Sequence, residues 1–320
     1  MKRFFLVIPV HNRVEETVKC LDSILAQRDY IASILIVDDG STDGTQEIIR
    51  ARYGACLPIV FVDGDGTLWW AGAIKKGVMA CLPAAGIDDY VVTLNNDVVL
   101  PKDAFQIASG LLDKHQECML GAISISSADR KTIVHTGWRM SCWPLALTER
   151  IWWPGLIDEG TGGLDSNIAE VDFLPGTMTF TPVSAIKKYG TVNADKLPHY
   201  HADSEYSYRL KRKGIRVLLS KELYVFHNVQ TTGVGSDLNA DLSFLDVWRS
   251  LFSIRSGNCL KYKWHYAVLC APKVARIPFF VCDTFKVLVR SFGSLLFGES
   301  IERLLKVQLL RGHKSSCKRN

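Results

Sequence analysis

Three short runs hold the residue types that could do chemistry. In Asn95-Asn96-Asp97, which follows an apolar stretch, Asp97 supplies a carboxylate and Asn95 an amide carbonyl. Those are the oxygen donors that a hard divalent cation such as Mg2+ or Mn2+ takes. Asp203 offers a carboxylate that can remove a proton from an attacking hydroxyl, with Glu205 two residues on. In an extended or distorted start the two could exchange roles, whereas on a regular helix they would not share a face. Arg209 would steady that helix or the site. Asp38-Asp39 closes a second apolar stretch, and Asp39 can accept the imide N–H of uracil or thymine. Asn12 and Arg13 are expected within reach of base or phosphate, and Asp43 is expected to cap the next helix.

The elements that must position these residues alternate. Phe4–Val10 is a continuous apolar run, the pattern of a strand buried on both faces. Residues 14–27 carry Val14, Val18, Leu21, Ile24 and Leu25 at helical spacing. Strands follow at 34–37, 58–62 and Tyr90–Leu94, with helices over 42–53 and 71–81, and Pro101 opens another helix. Strand and helix in alternation predict an α/β fold, a mostly parallel sheet with helices on both faces. Ligands of such sheets bind beyond the carboxyl ends of the strands, where Asp38, Asp39, Asp63, Asp65 and Asn95 to Asp97 all fall. Residues 120–200 read as short strands and loops, 203–213 as a helix and 217–226 as a strand ending at His227.

Several function classes are excluded. The turn after the first strand reads Pro9-Val10-His11-Asn12-Arg13, not the glycine fingerprint of a dinucleotide fold, and there is no Walker A run. The 9 cysteines are an odd number without a CxxC pair, which argues against a zinc site or disulfide framework and for reduced thiols in a cytoplasmic setting. The 48% hydrophobic and 22% charged composition is that of a globular chain. The N-terminal apolar run contains Pro9 and leads to no small-residue cleavage site, so it reads as a strand rather than a signal peptide. No uncharged stretch reaches the roughly 18–20 residues that span a bilayer.

The run Val37-Asp38-Asp39-Gly40-Ser41-Thr42-Asp43-Gly44-Thr45, with Asn95-Asn96-Asp97 some fifty residues on, resembles the family 2 glycosyltransferases, whose nucleotide-sugar-binding fold is called GT-A. Pro9 to Arg13 is similar to that family's strand-one exit. Gly66-Thr67-Leu68-Trp69-Trp70-Ala71-Gly72 with Gly77 is similar to its glycine-rich donor segment, in a rhamnosyltransferase-like form. Asp172 to Gly176 resembles the segment before the acceptor site, and His201 to Arg209 the late acidic motif. The resemblance covers roughly residues 4–230. It implies an inverting transfer of a sugar from a nucleotide diphosphate to a glycan or polyprenyl-linked acceptor in bacterial surface polysaccharide synthesis, O-antigen among them. Thymidine-diphosphate rhamnose is the favoured donor.

The resemblance also distributes roles. Asp203, with Glu205, would be catalytic. Pro9, Asn12, Arg13, Asp39, Gly66, Trp70, Gly72, Asn96, Gly176 and Arg209 would bind the nucleotide sugar. Asp97 and Asn95 would hold the cation, and His227 is either a third contact or a structural histidine. Asn95 replaces the family's usual first aspartate, which should weaken the cation's grip. Trp69-Trp70 either stacks on sugar rings or packs the core. A sugar nucleotidyltransferase would be expected to carry a glycine-rich basic loop after strand one, which this chain lacks. A non-catalytic nucleotide-sugar-binding protein would not need Asp39, Asp97 and Asp203 together.

The expected boundary lies between a catalytic domain, 1–242, and an amphipathic helical region, 243–320. Residues 249–320 hold 14 Lys/Arg against 3 Asp/Glu, although the whole chain carries only +5. An apolar face of Phe279, Phe280, Val281, Phe285, Leu288 and Val289 and a second helix over 299–311 fit either interfacial helices on anionic lipid or a subdomain packed on the catalytic part. The acidic main domain argues against nucleic acid. The expected location is cytoplasmic, peripheral at the inner face of the membrane.

Overall fold

A computed structural model describes residues 2–151, 153, 167–228 and 244–297. Contacts divide the chain into two compact units, one of Met1–Ser141 with Leu147–Thr232, the other of Cys142–Ala146 with Gly233–Asn320.

The first unit opens as its sequence pattern dictates. β1 (Phe4–Val10) is buried along almost its whole length, as its unbroken apolar run requires. α1 (Val14–Leu25) buries Thr17, Cys20, Leu21 and Ile24, one face at helical spacing, and carries Glu15 and Glu16 in its first turn, where the helix dipole favours them. β2 (Ile31–Asp38), α2 (Thr45–Tyr53), β3 (Ile59–Asp63), α3 (Trp69–Cys81) and β4 (Tyr90–Leu94) complete the alternation. β3, β2, β1 and β4 lie side by side in that order, all parallel. Strand order therefore reverses at β1, whose neighbours are β2 and β4, and a crevice opens there at the strands' carboxyl ends.

The two-residue β5 (Val98–Val99) and α4 (Ala104–Lys114) follow. Pro101 does not open α4, which starts three residues later. Gln27, just past α1, does the capping instead: its Oε1 accepts the Phe105 N–H at 2.9 Å while its Nε2 donates to the Pro101 carbonyl at 2.8 Å. The remaining elements are β6 (Cys118–Ser126), β7 (Ile133–His135), β8 (Trp138–Cys142), β9 (Leu147–Arg150), β10 (Ile168–Glu170), β11 (Met178–Pro182), α5 (Val183–Tyr189), α6 (Ala202–Arg212) and β12 (Arg216–His227). β11 runs antiparallel between β4 and β6, and β12 runs parallel to β6. Beneath the sheet Phe4, Phe105 and Phe180 meet, with Phe4 5.1 Å from Phe180 and 5.6 Å from Phe105. Such fully buried rings contribute about 1.5–3 kcal/mol each. On the other face α3 lies so close to β1 and β2 that a Cβ at Gly77 would come 2.4 Å from Val7 Cγ1 and 2.7 Å from Val37 Cγ2. Only glycine permits that approach.

The second unit contains α7 (Phe244–Ser250), α8 (Leu260–Cys270) and α9 (Arg276–Phe297). No described helix is long and apolar enough to cross a membrane. No disulfide joins the described cysteines. The helix expected over 299–311 lies outside the described residues.

Candidate active site

The crevice is walled by the loops leaving β1, β2, β3 and β4, and each loop is locked by its neighbour. Asn12 and Arg13, leaving β1, both take left-handed backbone angles, φ 58° and 62°. Two such residues in succession are strained and persist only where the surroundings determine them. Here they do: the Asn12 N–H donates to Ser41 Oγ at 2.8 Å, and Asn12 Oδ1 accepts the Thr42 N–H at 2.9 Å. Asp43 serves two helices, accepting the Thr45 N–H at 3.2 Å on α2 and the Val14 N–H at 3.0 Å on α1. Burial would push its carboxyl up, but hydrogen bonds from Thr45 and Val14 hold it below the usual carboxylate range. The second of these caps lay outside the sequence reading, because the helix it serves starts twenty-nine positions earlier. Pro9, inside β1, pairs in register with Val37.

Asp39 is buried, and both of its oxygens are engaged by the loop that follows β3. Oδ1 accepts the Gly66 N–H at 2.8 Å and Oδ2 the Trp69 N–H at 3.1 Å. Gly66 (φ +84°) and Trp69 (φ 55°) are both left-handed, so the carboxylate fixes the bend that starts α3. Gly64 closes on it, since a Cβ there would lie 2.5 Å from Asp39 Oδ1. Asp38 accepts the Ser41 N–H and the Gln46 amide, each at 2.9 Å, and Gln46 also reaches Asp63 at 2.8 Å. Gly72, in the first turn of α3, leaves room for Leu68, whose Cβ would be 3.3 Å from a Cβ there.

The turn after β4 sends its three residues in three directions. Asn95 Oδ1 accepts the Trp70 indole N–H at 3.0 Å. Asn96 donates from Nδ2 to Thr17 Oγ1 at 3.0 Å, anchoring the turn to α1. Asp97 faces two cationic or cation-capable groups, Arg13 Nη1 at 3.7 Å from Oδ2 and His227 Nε2 at 3.3 Å from Oδ1. The Asp97–His227 approach is made by backbone: β5 pairs with the end of β12, His227 opposite Val98, and the Asn228 N–H donates to the Asp97 carbonyl at 2.9 Å. His227 is 1% exposed, and neither ring nitrogen makes a hydrogen bond among the described residues. A buried imidazole in that condition costs free energy unless a ligand completes it. A carboxylate oxygen and an imidazole nitrogen 3.3 Å apart suit two adjacent positions on one divalent cation. No group of three or more His, Cys, Asp or Glu converges among the described residues, so a cation here would draw its other ligands from the bound molecule and water.

The opposite wall is α6. Asp203, in its first turn, accepts the Gly176 N–H on Oδ2 and the Ser204 N–H on Oδ1, both at 2.8 Å. Gly176 in turn lies against Trp70: a Cβ there would sit 2.4 Å from the indole Cζ2 and 3.3 Å from Asp203 Cβ. One indole thus spans from Asn95 to the segment that holds Asp203. Behind it is a cavity of about 10 Å³, lined by Trp70, Gly176, Asp203 and Tyr206 among others. That is room for roughly one water. The neighbouring Trp69 ring rests 5.7 Å from His199, and the Ala71 N–H donates to the Pro198 carbonyl at 2.9 Å, tying the start of α3 to the approach to α6. Burial pushes His199 down to about 4, so it is neutral near pH 7. No spacing in the sequence pointed to it.

Glu205 turns away from Asp203, as two residues on a regular helix must. It is 2% exposed, and burial pushes its carboxyl up against the opposing pull of Arg209, whose Nε donates to Oε1 at 2.8 Å. Arg209 also donates to the Tyr189 carbonyl at 2.8 Å and the Thr191 carbonyl at 2.6 Å. The pair clamps α6 to the loop after α5. Arg209→Ala would strand a buried carboxylate and two carbonyls, so the variant should lose about 3–5 kcal/mol. Denaturant unfolding followed by circular dichroism checks this, and a loss under 1 kcal/mol would contradict the clamp.

A sequence profile described as Glycosyl transferase family 2 matches residues 5–189. An uncharacterized glycosyltransferase of Mycoplasma genitalium is 29% identical over 107 residues, which is 32% of this chain and 34% of that protein. The chain therefore spans about a third of the length of that curated relative. Among solved structures, a mannosyltransferase of Pyrobaculum calidifontis in complex with GDP-Man and Mn2+ superposes with a TM-score of 0.56 at 15% identity, over 92% of this chain and 72% of that one. GalNAc-T7 with UDP, GalNAc and Mn2+ superposes with a TM-score of 0.57 at 14% identity, over 91% of this chain and 56% of that one. At such identities the likeness is one of fold.

Proposed function

The chain belongs to glycosyl transferase family 2, and from that membership we propose that it is an inverting glycosyltransferase that moves a sugar from a nucleotide diphosphate to an acceptor hydroxyl. The observation that carries this is the indole of Trp70, which touches the loop of Asp203 at Gly176 and the turn of Asp97 at Asn95. That link supports a proton acceptor and a site for the leaving diphosphate acting on one bound donor. Asp203 takes the proton from the acceptor hydroxyl as its oxygen bonds to the anomeric carbon. The bond from that carbon to the diphosphate breaks on the opposite face, and the configuration inverts. Arg13 lends positive charge on the diphosphate side. A divalent cation held by Asp97 and His227, as Mn2+ is present in the two similar structures, would neutralise the departing charge. In this reading Asn95 aligns Trp70, and Glu205 and Arg209 support α6. Asp39 shapes the donor pocket through the Gly66–Trp69 backbone.

The donor proposed is thymidine-diphosphate rhamnose. The acceptor proposed is a glycan or polyprenyl-linked saccharide of a bacterial surface polysaccharide such as O-antigen, met at the inner face of the cytoplasmic membrane. Purified protein offered thymidine-diphosphate rhamnose, GDP-mannose and UDP-N-acetylglucosamine, each with and without Mn2+, should release a nucleoside diphosphate from one of them. Release of pyrophosphate from a nucleoside triphosphate and a sugar 1-phosphate, with no nucleoside diphosphate released from these donors, would instead indicate a nucleotidyltransferase, and binding without turnover of either kind a non-catalytic protein.

A further inference from the structure

Most surface helices turn their apolar side to the core. The last described helix of the second unit does so only in part. On α9, Phe279 is buried against Trp143 and Tyr266, with ring centroids 5.2 and 5.9 Å away. The same side carries polar groups that bond within the unit. Asp283 pairs with Lys263, itself 5% exposed, and Lys286 donates to the carbonyls of Leu145 at 2.8 Å and Ala146 at 2.7 Å. The opposite side holds Ile277, Val281, Phe285 and Val289, four residues apart and 65%, 56%, 64% and 46% exposed. That spacing makes one continuous stripe. Val274, just before the helix, is 89% exposed, and the unit exposes Trp248, Phe252 and Trp264 as well.

The charges of the unit say what the stripe meets. Residues 244–297 hold eight Lys/Arg against two Asp. Of the two, Asp283 is already paired with Lys263, and Asp246 lies 3.8 Å from Arg249. Lys273, Arg255 and Lys261 are all exposed. Exposed aliphatic and aromatic side chains among net positive charge match an anionic bilayer, where apolar groups enter the acyl boundary and basic groups stay with the headgroups. A protein partner would need matching acids as well as an apolar groove. Resting on the lipid-linked acceptor of the proposed function, we propose that the Ile277–Val281–Phe285–Val289 face of α9 is the surface by which this protein docks on an anionic membrane.

Sedimentation of the full-length protein with vesicles tests this. Vesicles of phosphatidylglycerol and phosphatidylethanolamine should bind it at least about tenfold more tightly than phosphatidylcholine vesicles, and added salt should weaken the binding. The double variant Val281→Glu/Phe285→Glu should lose at least about tenfold in affinity, since two acids then enter the apolar boundary. Both positions are exposed, so its thermal midpoint should match the parent's. Met79→Glu, at an exposed position of the first unit, should bind like the parent. Undiminished vesicle binding by the double variant overturns the assignment, and so does a parent that ignores anionic vesicles. A concentration-dependent dimer that the double variant dissolves also overturns it, by giving the face to a second copy. Nucleoside diphosphate release from soluble donor, measured on the same samples, separates the two readings. Release without vesicle binding removes the docking face alone, and vesicle binding without release removes the transferase reading alone.

Discussion

Asp203→Asn should lower turnover by roughly 10²–10⁴-fold, the range for deleting a general base. The amide keeps the size of the carboxylate, and its oxygen can still accept one of the two N–H groups that Asp203 accepts at 2.8 Å, that of Gly176 on Oδ2 or that of Ser204 on Oδ1. Trp70 and Asn95, on the donor side, are untouched, so nucleotide-sugar affinity should stay within about twofold. The split is diagnostic: kcat falls while donor affinity stays. Isothermal titration with the best donor, run beside single-turnover kinetics, measures both. Turnover within about threefold of the parent would remove Asp203 from the proton transfer. Glu205→Gln is the companion measurement. Because Glu205 is buried against Arg209, it should change stability and leave kcat nearly intact.

Asp97→Ala should cost a comparable amount by a different route. Charge stabilisation at a departing diphosphate is a several-kcal/mol effect, which at about 1.4 kcal/mol per tenfold corresponds to roughly 10²–10³-fold in rate. The variant should also lose any stimulation of donor binding by Mn2+ or Mg2+, and His227→Ala should share that phenotype. The shared loss matters because His227 approaches Asp97 at 3.3 Å without hydrogen-bond alignment, so a structural pair and a ligand pair predict different outcomes. If His227→Ala only lowers the thermal midpoint while cation stimulation persists, the imidazole is structural. Full activity of the parent after exhaustive chelation would remove the cation from the proposal.

The half of the fold that could be read from sequence is the half governed by local pattern. The apolar runs that became β1, β2 and β4 are buried strands, too short for buried helices, and their polar ends fell at the switch point as parallel topology demands. Contacts across the sheet were less legible. Pro101 looked like a helix start because Pro favours that position, but Gln27 supplied the cap from another element. Asp39 stands at a strand end as its position in the sequence implied, but the Gly66 and Trp69 N–H groups that it accepts were not legible, because no residue type announces a backbone donor. Glu205 stood two residues from Asp203 in sequence, and the helix itself separates them. On α9 the sequence marked one apolar face of Phe279, Phe280, Val281, Phe285, Leu288 and Val289, and the structure splits it at Phe279. That ring is buried, while the exposed stripe runs through Ile277, Val281, Phe285 and Val289, because Lys263 and Trp143 lie on the other side.

The pairing of β5 with the end of β12 also governs when the protein can become competent during synthesis. β1 to β4 meet within the first hundred residues, so that wall can form while the ribosome is still translating. Asp97 emerges early, but His227 joins it only after the last strand of the sheet has been made and threaded beside β6. A nascent or prematurely terminated chain therefore carries the β1–β4 wall without the approach of His227 to Asp97 that the pairing of β5 and β12 makes.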